Sequence, residues 1–148
     1  MDATLLNFKL VVSDLERSLT YYRIFGLKEA ARVEFTNPDV TEVILENRDG
    51  ARPLVLIQSD IMPVPSITAG WTPLVFNVDD LAEALATVAA AGFESAIEPL
   101  DLGALKIGMT SDPDGYLSEI IEGDTQALEG IPVGQKIPHP IPQIHDRK

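Results

Sequence analysis

Apolar and polar residues alternate in two short stretches of this chain, and a helical stripe follows each stretch. In residues 5–12, Phe8, Leu10 and Val12 fall on one face of an extended segment, with Asn7, Lys9 and Val11 on the other. The first face is expected to pack on a helix, leaving Asn7 and Lys9 toward whatever the opposite face encloses. Leu15, Leu19, Tyr22 and Phe25 then recur at helical spacing. Ser13 and Glu16 have the spacing of a capping box, Asp14 adds negative charge at the helix start, and Gly26 supplies a left-handed stop. The same pattern returns 66 positions later: Val12, Asp14, Leu15, Leu19 and Gly26 are matched by Val78, Asp80, Leu81, Leu85 and Gly92. A repeat at fixed offset predicts two copies of one supersecondary unit.

Strand signals fill out each copy. After the first helix they fall at residues 31–35, 41–46 and 53–58, with turns at Asn37-Pro38-Asp39 and Asp49-Gly50. In the second half Leu74, Phe76 and Val78 alternate with Pro73, Val75 and Asn77. Asp80 and Glu83 again have cap spacing, and Leu81, Leu85 and Val88 form the stripe. Strands are then expected at residues 94–100, 105–110 and 116–121, the last two joined by the type I turn Asp112-Pro113-Asp114-Gly115. The reading is an α+β fold of two βαβββ modules, at 1–58 and 71–123, with a linker at 59–70, all within one structural domain. Residues 124–148 carry prolines at 132, 138, 140 and 142 and are expected to run extended. The tail's Ile131, Val133, Ile137, Ile141 and Ile144 favour its lying against protein.

Composition narrows the partners. Hydrophobic residues make up 45% of the chain, enough for a packed core. The formal charge of −12 repels phosphate backbones and anionic membranes, so neither nucleic acid nor a membrane is an expected partner. There is no cysteine, which removes disulfides and thiolate chemistry. No signal peptide and no apolar run near the length of a membrane span is read, and the expected location is cytoplasmic.

The segments LVVSDLERSLTYY, VFNVDDLAEALATVAAAGFE and SDPDGYLSEIIE resemble the vicinal oxygen chelate superfamily. That group contains glyoxalase I, extradiol dioxygenases, methylmalonyl-CoA epimerase and the fosfomycin and bleomycin resistance proteins. The resemblance covers residues 5–122. It implies a cup-shaped, partly open mixed sheet whose members with chemistry hold one divalent metal inside the cup. His, Gln or Glu ligands come from the first and last strands of each module. Carried over by position, the ligand sites fall on Asn7, Val55, Pro73 and Glu119. Only Glu119 is an ordinary ligand, Asn7 offers an amide oxygen, and Val55 and Pro73 offer nothing, so the metal centre is expected to be missing or much weakened. The sequence leaves open a weakly held divalent ion.

Glu119 alternates with Leu117 and Ile121, which directs it into an apolar cup where desolvation suits a carboxyl group to proton transfer. The alternative is a structural carboxylate paired with a lysine or with Asn7. Lys9 shares its strand face with Asn7 and is read as a partner for Glu119, as a clamp for a ligand's negative oxygen, or as a lysine reaching water. Asn7, Arg32, Gln58, Lys106, Met109 and Tyr116 are the remaining candidates to line a substrate cavity. Met109 and Tyr116 equally fit plain core. His139 and His145 lie outside the repeat, either folding back over the cup or standing exposed. Trp71 is expected to anchor the module junction.

Two functions follow from the resemblance. One is a glyoxalase-like enzyme acting on a small oxygenated or carbonyl compound by proton transfer, of lyase or isomerase type, with Glu119 as acid or base. An extradiol dioxygenase is disfavoured, because that reaction needs iron on His and carboxylate ligands. The other is a metal-free binding protein of the bleomycin-resistance kind, which an acidic surface suits and a count of one Trp, three Tyr and five Phe does not. A purely structural or dimerisation module is the third reading. A homodimer is expected, since members often pair modules across subunits.

Overall fold

The computed structural model describes residues 1–61, 74–124 and 132–136. Pro73, Trp71, His139, His145 and most of the linker and tail lie outside them. The elements are β1 (Phe8–Val11), α1 (Leu15–Ile24), β2 (Lys28–Phe35), β3 (Val40–Glu46) and β4 (Leu54–Ser59), then β5 (Leu74–Val78), α2 (Leu81–Ala90), β6 (Leu100–Asp101), β7 (Leu105–Ser111) and β8 (Leu117–Gly123). The strands form two four-stranded mixed sheets, ordered β1-β4-β3-β2 and β5-β8-β7-β6. In each sheet the first strand runs parallel to the last, and the remaining neighbours are antiparallel. This is the expected tandem βαβββ arrangement. Both sheets stay open, and among the described residues no strand of one pairs with a strand of the other.

Local chemistry starts and stops the helices. Asp14 is the N-cap of α1 and accepts from the Arg17 N–H at 3.0 Å; Asp80 does the same for α2 with the Glu83 N–H at 2.9 Å. The expected role of Ser13 in a capping box does not hold, because its N–H and hydroxyl both go to the Asp114 carboxylate. Gly26 and Gly92 follow the helices at φ of 81° and 84°, a left-handed conformation that glycine adopts without a Cβ clash. The segment expected as a strand at 94–100 is reduced to Leu100–Asp101 and one isolated bridge between Ser95 and Thr110. Pro99 has no N–H to continue a ladder.

The sheets meet through their helix-bearing faces. Leu10, Val12, Val43, Leu45, Leu54 and Leu56 of the first sheet pack with Leu15, Leu19, Tyr21 and Tyr22 of α1, with Val88 of α2, and with Phe93 and Tyr116. Phe8 shares the parity of Leu10 yet is exposed at the start of edge strand β1. In the second sheet α2 approaches β7 so closely that a Cβ on Gly108 would stand 3.0 Å from the Leu81 side chain. Tyr21 of α1 reaches Thr110 on β7, and Phe25 stacks on Phe76 of β5 with centroids 4.3 Å apart.

The turn between β7 and β8 plugs into the first module. Asp112 is buried; its Oδ1 accepts from the N–H groups of Asp114 and Tyr116, and its Oδ2 accepts from the Tyr22 hydroxyl at 2.8 Å. The Tyr116 hydroxyl donates to the Val11 carbonyl at 3.0 Å. Burial raises the Asp112 carboxyl above its ordinary range, against the lowering effect of those hydrogen bonds. Burial, then the Asp112 charge, pushes the Tyr22 hydroxyl far upward.

Candidate functional site

Strand register decides which candidates share the face turned away from the helices, here the cup face. On β8 that face carries Leu117, Glu119 and Ile121, because Ser118 and Ile120 alternate toward the helices. Glu119 pairs in register with Val75 of β5 and Met109 of β7, and Ile121 with Ile107. Met109, Ile107 and Leu117 are buried in a cluster with Ala96. Glu119 thus lies half-buried on an apolar wall, and it makes no hydrogen bond or ion pair among the described residues. Met109 lies on that wall and is buried.

On the first sheet the cup face carries Lys9 and Val11 of β1, Glu42 and Ile44 of β3, and Val55 and Ile57 of β4. Lys9 pairs in register with Val55, and Glu42 with Ile57. The Lys9 ammonium contacts both Glu42 carboxylate oxygens, at 2.7 and 2.8 Å. That ion pair spans β4 above Val55 and Ile57, both buried. Lys9 is therefore committed to Glu42 rather than to Glu119. Asn7 lies half-buried just before β1, and nothing among the described residues hydrogen-bonds it to Glu119.

Four other candidates fall elsewhere, and each is a correction. Arg32 pairs in register with the core residue Val43, and its guanidinium grips Glu16 of α1 and Glu29, so it lies on the helix side. The Glu29 hydrogen bond, with Glu16 next, raises the Arg32 guanidinium further above its already high value. Gln58 turns to the helix, where its side-chain oxygen accepts from the Leu15 N–H at 2.9 Å. Glu122 holds the matching place in the second module, accepting from the Leu81 N–H at 2.9 Å. Lys106 is bound to Glu122 at 2.6 Å on this same side, and that contact raises its ammonium. The Leu81 N–H, then Lys106, keeps the Glu122 carboxyl low. Tyr116 belongs to the junction between modules.

A separate cleft of about 700 Å³ opens between the end of α1, the β3–β4 turn, β5 and α2, among Phe25, Arg48, Asp49, Phe76, Asp79 and Glu83. It lies where the repeat would place the counterpart of the plugged β7–β8 turn: Asp79 stands 66 positions after Ser13. Sequence reasoning missed both this cleft and the role of Glu42. A lysine facing a glutamate two strands away leaves no spacing signal.

The donor set does not fit a divalent ion at the positions carried over from the resemblance. Val55 has no donor atom and lies beneath the Lys9–Glu42 pair, and Asn7 and Glu119 supply one amide and one carboxylate. Among the described residues no group of three or more His, Cys, Asp or Glu side chains converges.

Two open βαβββ sheets joined through their helices, with a lone acid on one cup face, define a tandem glyoxalase-like protein. The chain belongs to the Glyoxalase/Bleomycin resistance protein/Dioxygenase superfamily, whose sequence profile matches residues 4–120. Among curated proteins none matches the sequence. Solved structures with the same fold include a glyoxalase family protein from Bacillus cereus, with TM-score 0.70, 18% identity, and coverage of 80% of this chain and 92% of that one. The fosfomycin resistance protein FosX from Listeria monocytogenes, solved with manganese and sulfate, aligns with TM-score 0.64 and 18% identity over 85% of this chain and 97% of its own. Glyoxalase I from Zea mays aligns with TM-score 0.68 and 25% identity over 81% of this chain and 45% of its own. No helix among the described residues is long and apolar enough to cross a membrane.

Proposed function

We propose that this protein is a glyoxalase-like enzyme that acts on a small oxygenated or carbonyl compound by proton transfer, of lyase or isomerase type, without the metal of its relatives. The observation that carries the reading is Glu119. It is a carboxylate with no protein partner among the described residues, on a wall of Met109, Ile107, Leu117 and Ile121. Carboxylates so placed are retained at a cost in stability unless a ligand uses them. In this reading Glu119 takes a proton from carbon beside a carbonyl and returns it to a neighbouring atom. The apolar wall excludes water from the exchange.

A second reading has its own observation. Lys9 is held by Glu42, so the cation expected to steady negative charge on substrate oxygen is already neutralised. That favours a protein that sequesters its ligand without turning it over. The test is a thermal-shift screen of metabolites and antibiotics, with every hit followed for turnover in wild type and Glu119→Gln. Turnover that disappears in the variant supports catalysis; tight binding without product supports sequestration and sinks the first reading.

The protein is further proposed to work as a homodimer in the cytoplasm. Val33, Phe35 and Val75 are 39, 50 and 57% exposed on cup-face positions of the open sheets, and a second copy would cover such residues.

A further inference from the structure

The turns at residues 47–51 and 112–116 share one backbone form, 65 positions apart. The Asn47 and Asp112 N–H groups donate to the Ala51 and Tyr116 carbonyls, and the Gly50 and Gly115 N–H groups donate to the Asn47 and Asp112 carbonyls. Both glycines are left-handed, at φ of 85° and 92°. The second turn docks on the first module through its side chains. Asp114 accepts from the N–H and hydroxyl of Ser13, Asp112 accepts from Tyr22, and the buried Tyr116 ring sets its hydroxyl on the Val11 carbonyl. In the other half these groups are replaced: Tyr116 by Ala51, Tyr22 by Val88, Asp112 by Asn47 and Ser13 by Asp79. Two phenol rings and a hydroxyl are gone, and Asp49, in the place of Asp114, meets a carboxylate where Asp114 meets a serine. Like charges oppose docking. Among the described residues no hydrogen bond joins this turn to β5 or α2, and the cleft of about 700 Å³ stands between them.

We infer that this cleft is a second binding site, for a small aromatic amine whose ring takes the room that Ala51 leaves and whose donors meet the acceptors around it. The filled half shows what such a slot holds, since its occupant is the protein's own phenol. Phe25 and Phe76, stacked with centroids 4.3 Å apart and each half-buried, give a ring an apolar floor. The Asn77 residue holds the place of Val11, whose carbonyl accepts from Tyr116, and Asp49 and Asp79 add acceptors on either side. The volume is that of a small-molecule site. Arg48 is the one cation lining it, against Asp49, Asp79, Asp80 and Glu83, so an ammonium is favoured there over a carboxylate. Phe76 and Val75 alternate on β5, and Val75 pairs with Glu119, so the cleft floor and the Glu119 face lie on opposite sides of the sheet. The inference therefore stands apart from the reading of Glu119.

The test titrates the full chain at physiological salt with tyramine, 4-ethylphenol and 4-hydroxyphenylacetate, followed by protein-observed NMR. Amides of residues 47–51, 76–79 and 83–87 should move, and those of Met109 and Glu119 should not. Attraction to exposed carboxylates and repulsion from them are each worth about threefold, so tyramine should bind about tenfold more tightly than 4-hydroxyphenylacetate, with 4-ethylphenol between them. Asp79→Ser offers Asp49 the partner that Asp114 has in Ser13, and should weaken tyramine about threefold. The double variant Asp79→Ser, Ala51→Tyr restores the ring as well, at two exposed positions; it should bind none of the three and melt higher than wild type. Glu119→Gln should bind tyramine as wild type does, which separates the cleft from the face assigned to Glu119. Equal affinity for tyramine and 4-hydroxyphenylacetate would overturn the preference for an amine. Cleft amides that do not move, or a double variant that binds tyramine as tightly as wild type, would overturn the site itself and leave the reading of Glu119 untouched.

Discussion

Replacing Tyr22 by Phe removes one oxygen from the seam between the modules, and the structure sets the size of the effect. The Tyr22 hydroxyl donates to Asp112 Oδ2 at 2.8 Å, both residues are buried, and Oδ1 is already used by two backbone N–H groups. Tyr22→Phe therefore strands a buried carboxylate oxygen without opening a cavity, which should destabilise the fold by about 2 kcal/mol. At about 2–4 °C per kcal/mol for a chain of this size, the melting temperature falls by about 4–8 °C. Asp112 adds a pH dependence of its own. Burial holds the folded Asp112 carboxyl above its ordinary value of 3.8, so the folded state keeps the proton longer than the unfolded chain does. Its stabilising contribution is complete below the unfolded value and is lost as pH rises through the folded one. Asp112→Asn does not titrate, so its stability relative to wild type should improve as pH rises from about 4 through the folded value of Asp112. Urea unfolding of wild type, the two single variants and the double variant at several pH values measures both effects. The cycle should show coupling of about 1–2 kcal/mol between Tyr22 and Asp112. A Tyr22→Phe loss below about 0.5 kcal/mol, or additive single effects, would refute the hydrogen bond as the seam's fastening.

Two further outcomes bear on the proposed function. Purified protein analysed by elemental mass spectrometry should carry well under one equivalent of Ni, Zn, Mn or Fe, with melting indifferent to EDTA; stoichiometric metal with EDTA-sensitive melting would show that the ligand positions assigned to Asn7, Val55 and Glu119 are misplaced. Sedimentation velocity should give a dimer across the micromolar range, and Val75→Lys, on an exposed cup-face position, should shift the protein toward monomer. A monomer at all concentrations would reject the proposed assembly.

How much was legible in the chain depends on how each face of each element is covered. Leu15, Leu19, Asp14 and Asp80 act locally, through helical spacing and capping within one turn, so their roles follow from sequence alone. The duplication at an offset of 66 fixed the order of elements for the same reason: each unit repeats a pattern that cannot bury its apolar face alone. Glu119 shares the parity of Leu117 and Ile121, and the register of β8 with β5 and β7 keeps it on the side of Val75 and Met109. Parity failed where the usual alternation is absent. In residues 53–58 both faces of β4 are apolar, so nothing marked Gln58 as facing the helix. Strand β2 is an edge with both faces largely wet, which hid the side on which Arg32 meets Glu16.

The sequence by itself determined the duplicated α+β plan and the helix boundaries, because these depend on residue types and short-range spacing. Only the tertiary structure decided that Lys9 belongs to Glu42, that Lys106 and Gln58 serve the helix side, and that Asp112 fastens one module to the other. Each of those is a contact between elements far apart in the chain, set by strand register and by how closely a helix approaches a sheet. At Gly108 the missing side chain lets α2 settle against the β7 backbone, while strand alternation puts Ile107 and Met109 on the opposite face.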